Sequence, residues 1–306
     1  MTAGWTPDLL LQRLAARGAH PAVIASSEAG VVTTSSAALA ADVAALARRL
    51  RAAGIGAGGR VALCGPNGVD WITAALAVLA CGGVLVPIDE QSDVGQFAAA
   101  LRSSNARLLV ASAARLAACT GPVAQRLQLD EWRTLPEGED GPLPASSPDA
   151  PALLSWTSGT TGNPKAFLLT LHNIGSNVEA IEALHIAGVE DRALLPLPLH
   201  HAYPFVAGVL STLSIGTAIV LPAAPTGPLI VRALRDGEAT AIVGVPRLYE
   251  AILAVLEARF AKPGRLAALA WRGALAVATR LERRGLHAGR LLFRPVRSAL
   301  APRLRL

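Results

Sequence analysis

Short, unbroken apolar runs alternate with longer segments of helical spacing along the first half of the chain. An apolar run without polar alternation is typical of a strand that is buried on both faces, as in a parallel sheet covered by helices. The sequence therefore predicts an α/β fold, with parallel-sheet subdomains and flanking helices. The predicted strands are Arg60–Cys64, Val84–Pro87 and Ala106–Ala111, and the predicted helices are Ser35–Gly54, Asp70–Ala80 with Asp70 as its cap, and Val94–Ser103.

A segment of different character, Glu131–Ala150, is rich in proline and acidic residues and has no periodicity. We interpret it as a linker, 131–150, between a first α/β subdomain at 1–130 and a second, incomplete one at 151–306. The second subdomain carries predicted strands at Ala152–Trp156, Ile219–Leu221 and Thr240–Val245. One predicted helix is marked by Ile174, Val178, Ile181 and Leu184, and a second by Leu248, Ile252, Val255 and Leu256. A helical tail is predicted from Gly264 onward.

Composition excludes several classes of protein. An apolar fraction of 52% with 16% charged residues excludes a disordered chain. The cysteines are Cys64, Cys81 and Cys119, an odd number without paired spacing, which argues against a disulfide framework and for a reducing compartment. No basic segment followed by an apolar one opens the sequence, so we expect no secretory signal and a cytoplasmic location.

Two uncharged runs, Trp71–Ile88 and Ala193–Val231, are long enough to raise the question of a membrane span. Glycines and Pro87 interrupt the first, and six prolines interrupt the second. We predict a buried helix followed by a buried strand in both, including Phe205–Leu221.

Positive charge is concentrated at the end of the chain. Residues 259–306 hold 12 Lys or Arg and one acid, Glu282, whereas the remainder holds 16 basic and 21 acidic residues. The pI near 10.0 therefore describes the tail and is poor support for nucleic-acid binding. Because Leu291, Leu292, Val296 and Leu300 are spaced for one helical face, the tail is either a basic amphipathic helix for an anionic membrane or a solvated helix.

The sharpest motif is the string Thr157-Ser-Gly-Thr-Thr-Gly-Asn-Pro-Lys165, which follows a predicted strand and precedes a predicted helix. Its glycines allow tight turns that present N–H groups, and its hydroxyls add donors for a polyphosphate. Lys165 is one of two lysines beside 26 arginines, which indicates a specific need for an ammonium group. The alternative is a polar surface loop; the string is not a Walker A motif.

These residues resemble the signature loop of the AMP-forming adenylate synthetases, which include acyl-CoA synthetases and peptide-synthetase adenylation domains. Ala57–Val61, Pro66-Asn67 and Val245–Tyr249 are similar to further elements of that family. The resemblance implies that the loop holds the β- and γ-phosphates of ATP through Ser158, Gly159, Thr160, Thr161, Gly162 and Lys165, and that Thr157 contacts Mg²⁺. Ala166 and Leu171 depart from the family pattern.

A second element, Leu197–Tyr203, resembles the family segment that ends in a histidine between the acyl pocket and the phosphates. The resemblance assigns His201 to orienting the carboxylate, beside Lys165 as the other catalytic residue, and His200 to a position of variable identity. It places Tyr203, Val245 and Pro246 on the substrate side. Loop histidines satisfied by backbone, and a core tyrosine, are the alternatives.

Two functions of different class remain open from the sequence. The resemblance implies an acid–thiol ligase of fatty acyl-CoA synthetase type, using ATP, Mg²⁺ and coenzyme A or a carrier-protein pantetheine. Family elements for adenine, ribose and the C-terminal catalytic lysine are missing, so we expect a truncated N-terminal portion that is inactive alone. The alternative is a non-catalytic binding protein that retains the fold and uses its basic tail for peripheral membrane or partner contact.

Overall fold

The computed structural model describes residues 4–119, 123–139, 141–144, 147–157, 165–261, 264–286 and 289–305. The strands are β1 (Pro21–Ser27), β2 (Gly30–Ser35), β3 (Arg60–Cys64), β4 (Val84–Pro87), β5 (Leu108–Ala111), β6 (Gln125–Gln128), β7 (Pro151–Trp156), β8 (Ala166–Thr170), β9 (Arg192–Leu194), β10 (Ala218–Pro222) and β11 (Ala241–Ile242). The helices are α1 (Pro7–Ala16), α2 (Ser36–Ala52), α3 (Val69–Ala80), α4 (Val94–Ser104), α5 (Ala113–Ala117), α6 (Leu171–Ala183), α7 (Ser211–Ile215), α8 (Gly227–Asp236), α9 (Pro246–Ala261), α10 (Arg265–Glu282), α11 (Gly289–Leu292) and α12 (Arg294–Leu300).

A six-stranded sheet in the order β6-β5-β3-β4-β7-β8 confirms the predicted α/β architecture. Its strands are parallel except for β8, which runs antiparallel to β7. Strands β4 and β5 are buried at every position, as their unbroken apolar runs predict. The sequence analysis did not predict β8. The prediction that a helix follows the Gly/Ser/Thr string is wrong, because β8 lies between the string and α6.

Amphipathic patterns explain the helices that cover this sheet. In α2 the apolar positions fall on one stripe and are buried, and the Ser35 hydroxyl caps the helix by accepting from the Ala38 N–H at 3.2 Å. In α3 every residue from Trp71 to Ala80 is buried. The prediction that Asp70 caps α3 is wrong, because the N-cap is Gly68, which makes no side-chain hydrogen bond. Asp70 lies in the first turn, where its negative charge interacts favourably with the helix dipole.

The second uncharged run forms the predicted buried helix and strand. A π-helix at Pro204–Leu210 continues into α7, which ends at Gly216, and β10 follows. Gly216 has φ of +97°, and the Arg17 guanidinium donates to the carbonyls of Leu213 and Ser214 at 2.6 Å, which satisfies the end of the helix. Within the described residues, no helix has both the length and the apolar character to cross a membrane.

A five-stranded sheet has the order β11-β9-β10-β1-β2, with β11 parallel to β9. The chain divides into two compact units, one of residues up to Ile24, Thr33–Glu190 and Pro198–Ile219, and one of Ala25–Val32, Asp191–Leu197 and residues from Val220 onward. Strands β7 and β8, which follow 131–150, complete a sheet whose other strands precede that segment. The subdomain division at that segment stays a prediction.

Candidate functional site

A β-hairpin presents the two ends of the Gly/Ser/Thr string. Strand β7 ends at Trp156 and β8 begins at Ala166, and their last pairing joins these two residues. Thr157 N donates to the Lys165 carbonyl at 2.9 Å, and Lys165 N donates to Thr157 Oγ1 at 3.2 Å. Both residues are exposed. The predicted phosphate ligands between them lie outside the described residues: Ser158, Gly159, Thr160, Thr161 and Gly162.

The hairpin opens at the edge of the sheet where parallel strands end. Leu85 on β4 lies opposite Leu153 on β7, and the strands run in the same direction. Asp89 and Thr157, each four residues further along, therefore leave the sheet at the same edge. In α/β sheets, ligands bind outside the carboxyl ends of the strands. The loop that carries Lys165 and the loop that carries Asp89 are thus placed on the ligand-binding side.

The loop after β4 is fixed by local hydrogen bonds. Asp89 Oδ1 accepts from the Gln91 N–H at 2.8 Å, and the Asp89 carbonyl accepts from the Ser92 hydroxyl at 2.7 Å. The Arg115 guanidinium donates to the Ser92 carbonyl at 2.7 Å. These bonds orient the Asp89 carboxylate at the sheet edge.

A histidine pair faces this loop. Asn67, in the turn after β3, accepts the Leu199 N–H on its Oδ1 at 3.0 Å and so fixes the backbone just before the pair. His200 Nε2 then lies 3.9 Å from Asp89 Oδ1, and the centroids of the His200 and His201 rings are 4.1 Å apart. Asn67 therefore ties the histidine segment to the strand ends.

The two histidines differ in burial. The His200 side chain is 16% exposed, whereas His201 is an exposed residue. Burial, together with the neighbouring His201, lowers the pKa of His200 to about 4, against the opposing pull of Asp89. His200 is therefore neutral near pH 7. The family resemblance assigns the functional role to His201, but the histidine that faces Asp89 is His200. The role of His201 stays a prediction.

The remaining predicted residues are placed as follows. Tyr203 lies just after the histidine pair and is 49% exposed, so it is not a core tyrosine. Val245 and Pro246 belong to the second compact unit, where α9 begins at Pro246 and the Val245 carbonyl accepts from the Leu248 N–H at 2.9 Å. Their substrate roles stay predictions. Across the described residues, no cluster of three His, Cys, Asp or Glu side chains is arranged to hold a metal ion.

Sequence reasoning gave no role to the polar residues that follow the parallel strands. Asn67 follows β3, Asp89 and Glu90 follow β4, and Ser112 follows β5 and donates to Glu90 Oε1 at 3.0 Å. Each stands within a few residues of a correctly predicted strand. The signal that finds them is the position of a polar residue at the carboxyl end of a parallel strand.

Comparison with known proteins defines the class to which this site belongs. The family model for AMP-binding enzymes matches residues 11–292. The chain therefore belongs to the AMP-binding enzymes, the adenylate-forming family that contains the acyl-CoA ligases.

Individual relatives include a CoA ligase and a CoA synthase. The chain is 36% identical over 197 residues to sulfoacetate–CoA ligase of Cupriavidus necator, an alignment that covers 60% of this chain and 39% of that protein. It is 33% identical over 218 residues to feruloyl-CoA synthase of an Amycolatopsis species, which covers 71% of this chain and 44% of that protein. The chain thus spans about two fifths of the length of these relatives.

Solved structures agree with the fold. O-succinylbenzoate coenzyme A synthetase from Bacillus subtilis, in complex with AMP, superposes with a TM-score of 0.71 and 25% identity over 81% of this chain and 64% of that one. The N-terminal domain of FACL13 from Mycobacterium tuberculosis superposes with a TM-score of 0.72 at 22% identity, over 82% of this chain and 65% of that one.

Proposed function

We propose that the chain contributes the polyphosphate-binding part of an AMP-forming acid–thiol ligase. A carboxylate oxygen attacks the α-phosphorus of ATP, the bond to the β-phosphate oxygen breaks, and acyl-AMP and pyrophosphate form. A thiol of coenzyme A or pantetheine then attacks the acyl carbonyl and releases AMP. The observation that carries the proposal is the hairpin between Thr157 and Lys165, which opens beside Asp89 at the carboxyl edge of the parallel sheet.

The residues at this edge fit an ATP polyphosphate bound with Mg²⁺. The exposed Lys165 ammonium adds a mobile cation for a phosphate oxygen, and the loop that it closes supplies the proposed further ligands from Ser158 to Gly162. The Thr157 hydroxyl is the proposed contact for Mg²⁺. Because charge accumulates on the leaving pyrophosphate, a cation at this position stabilises the transition state more than the ground state.

The histidine pair is the proposed guide for the carboxylate. His201 is exposed next to the buried ring of His200, and Asn67 holds the segment in place. An exposed imidazole donates a hydrogen bond to a carboxylate oxygen without the cost of deep burial. Tyr203, Val245 and Pro246 are proposed to contact the rest of the acid.

The acid substrate is proposed to be a fatty acid. Low aromatic content and the Val245–Tyr249 element are similar to the medium- to long-chain acyl branch of the family. The relatives named above act on sulfoacetate and ferulate, and a further relative in Arabidopsis thaliana is an oxalate–CoA ligase, so the identity of the acid needs a direct assay. A cytoplasmic location belongs to the same proposal.

The second candidate is a non-catalytic binding protein built on the same fold. The observation in its favour is the charge distribution, with 12 basic residues and one acid in residues 259–306. Such a protein would bind a partner or surface through this segment and perform no adenylation.

Pyrophosphate release discriminates between the candidates. The purified chain, alone and together with the C-terminal half of a related ligase, is given ATP, Mg²⁺, coenzyme A and, in separate reactions, fatty acids of increasing length, ferulate, sulfoacetate or oxalate. The ligase proposal expects no release by the chain alone. With the C-terminal half present, it expects release that requires one of these acids and is abolished in Lys165→Ala. Lys165-dependent pyrophosphate binding without release in either mixture supports the non-catalytic candidate. If there is neither release nor Lys165-dependent pyrophosphate binding, the proposed use of the loop is contradicted.

A further inference from the structure

The helical segment after Gly264 has two different faces, both within the second compact unit. On the inner face, the ring of Trp271 on α10 meets Phe293 edge to face, with centroids 5.0 Å apart. Ala278 on the same face is 7% exposed. This face is therefore already occupied by the unit's own side chains.

The outer face carries large apolar side chains in solvent. Leu269 is 64% exposed and Val277 is 51% exposed, and at 100° per residue both lie on the side of α10 opposite Trp271. Further along the same unit, Leu286 is 56%, Leu291 is 76% and Leu292 is 44% exposed. We call Leu269 and Val277, which share the outer face of α10, the apolar patch. Exposed apolar side chains that lie together on one face are typical of a binding surface.

Arginines lie along the same segment as the apolar patch, and at 100° per residue Arg280 falls between Leu269 and Val277 around α10. The exposed arginines described on this segment are Arg272, Arg280, Arg283, Arg284 and Arg294. Residues 259–306 contain a single acid, Glu282, so the surface has a strong positive field. A ligand that matches it must offer both apolar volume and a layer of negative charge.

We infer that this face docks on an anionic membrane surface. Leu269 and Val277 enter the boundary between headgroups and acyl chains, while the long arginine side chains reach the lipid phosphates. A second copy of the chain fits less well, because a two-fold contact through this face would bring like charges together. A nucleic acid would pair with the arginines but leave the apolar side chains uncovered.

Vesicle flotation of the whole chain tests the inference without ATP or acid, so its result is independent of the proposed ligase reaction. Vesicles of phosphatidylcholine are compared with vesicles that also contain phosphatidylglycerol. We expect binding to the anionic vesicles only, with loss of binding as salt rises from about 0.1 M to about 1 M. Arg280→Gln with Arg283→Gln should weaken partitioning about fivefold for each arginine.

The apolar part has its own variant and a matched control. Leu269→Gln removes a side chain that is 64% exposed, and Leu184→Gln removes one that is also 64% exposed but lies at the end of α6. We expect weaker partitioning for Leu269→Gln and unchanged partitioning for Leu184→Gln. Arg102→Gln with Arg107→Gln is the control for charge, and circular dichroism verifies that every variant is folded.

Three results would overturn the inference. The first is no flotation with anionic vesicles at low salt. The second is equal weakening by the control variants, which means a non-specific attraction of the whole chain. The third is unchanged flotation in the α10 variants together with loss of another interaction. Loss of concentration-dependent self-association would assign the face to a second copy of the chain, and loss of nucleic-acid binding would assign it to a nucleic acid.

Discussion

The Asn67 side chain accepts a hydrogen bond from the Leu199 backbone N–H at 3.0 Å and so joins the turn after β3 to the histidine segment. Because Leu199 is fully buried, its N–H cannot form a hydrogen bond with bulk water in place of Asn67. The position of His200 and His201 at the sheet edge depends on this contact between two distant parts of the chain.

Asn67→Ala should leave the Leu199 N–H without its acceptor. An unsatisfied buried donor costs about 1–3 kcal/mol, and we expect the free energy of unfolding to fall by that amount. Guanidinium denaturation followed by circular dichroism measures it. Asn177→Ala is the control, because the Asn177 amide donates to the Asn173 carbonyl at an exposed position. Equal losses in the two variants would contradict the anchoring role of Asn67.

His200 should make stability depend on pH. Its pKa is lowered to about 4 by burial, so the unfolded state binds more protons between about pH 6.5 and about pH 4. The stabilisation from the neutral ring is complete above about pH 6.5 and is lost as the pH falls through that window. We expect wild type to lose about 2 kcal/mol more than His200→Gln between these limits.

The control for this pH profile is His172→Gln, which replaces an exposed histidine. Titration of the His200 ring by NMR gives the pKa directly. A His200 midpoint near that of a free histidine, or identical pH profiles for wild type and His200→Gln, would show that the ring is not buried as described.

Gly216 should tolerate alanine less well than Gly54 does. Both have positive φ, of +97° and +82°, but a Cβ at Gly216 would lie 2.8 Å from Arg17 Nε, whereas nothing lies within 4 Å at Gly54. Alanine costs about 1–2 kcal/mol at either site from the left-handed backbone, and displacement of Arg17 adds roughly 1–3 kcal/mol at Gly216. Thermal unfolding of the two variants measures the difference, and equal melting temperatures would contradict the close approach of Arg17.

Much of the fold follows from local patterns. Strands β3, β4 and β5 are unbroken apolar runs, and α2 is marked by Leu39, Val43, Leu46 and Leu50 at helical spacing. Both signals reflect burial within a single element, which the sequence displays directly. The loop at 157–165 is likewise marked by its own residues.

The features that the sequence does not reveal depend on partners far along the chain. The five residues of β8 alternate only partly between buried and exposed positions, so their pattern does not predict a strand. They form one because they pair with the edge of β7. His200 and His201 are adjacent and chemically identical in sequence. Which of them is buried is decided by Asp89 and Asn67, and those contacts arise only in the folded sheet.

Calorimetric titration of pyrophosphate into wild type, Lys165→Ala and Arg107→Ala measures whether the loop closed by Lys165 binds polyphosphate. Arg107 is an exposed cation just before β5, at the amino ends of the parallel strands, whereas the loop of Lys165 lies at their carboxyl ends. The Arg107→Ala variant therefore removes one positive charge without changing the loop. Loss of a charge-assisted contact costs about 1.5–3 kcal/mol, which predicts roughly 10- to 150-fold weaker binding for Lys165→Ala alone. Equal pyrophosphate affinities for wild type and Lys165→Ala would contradict the claim.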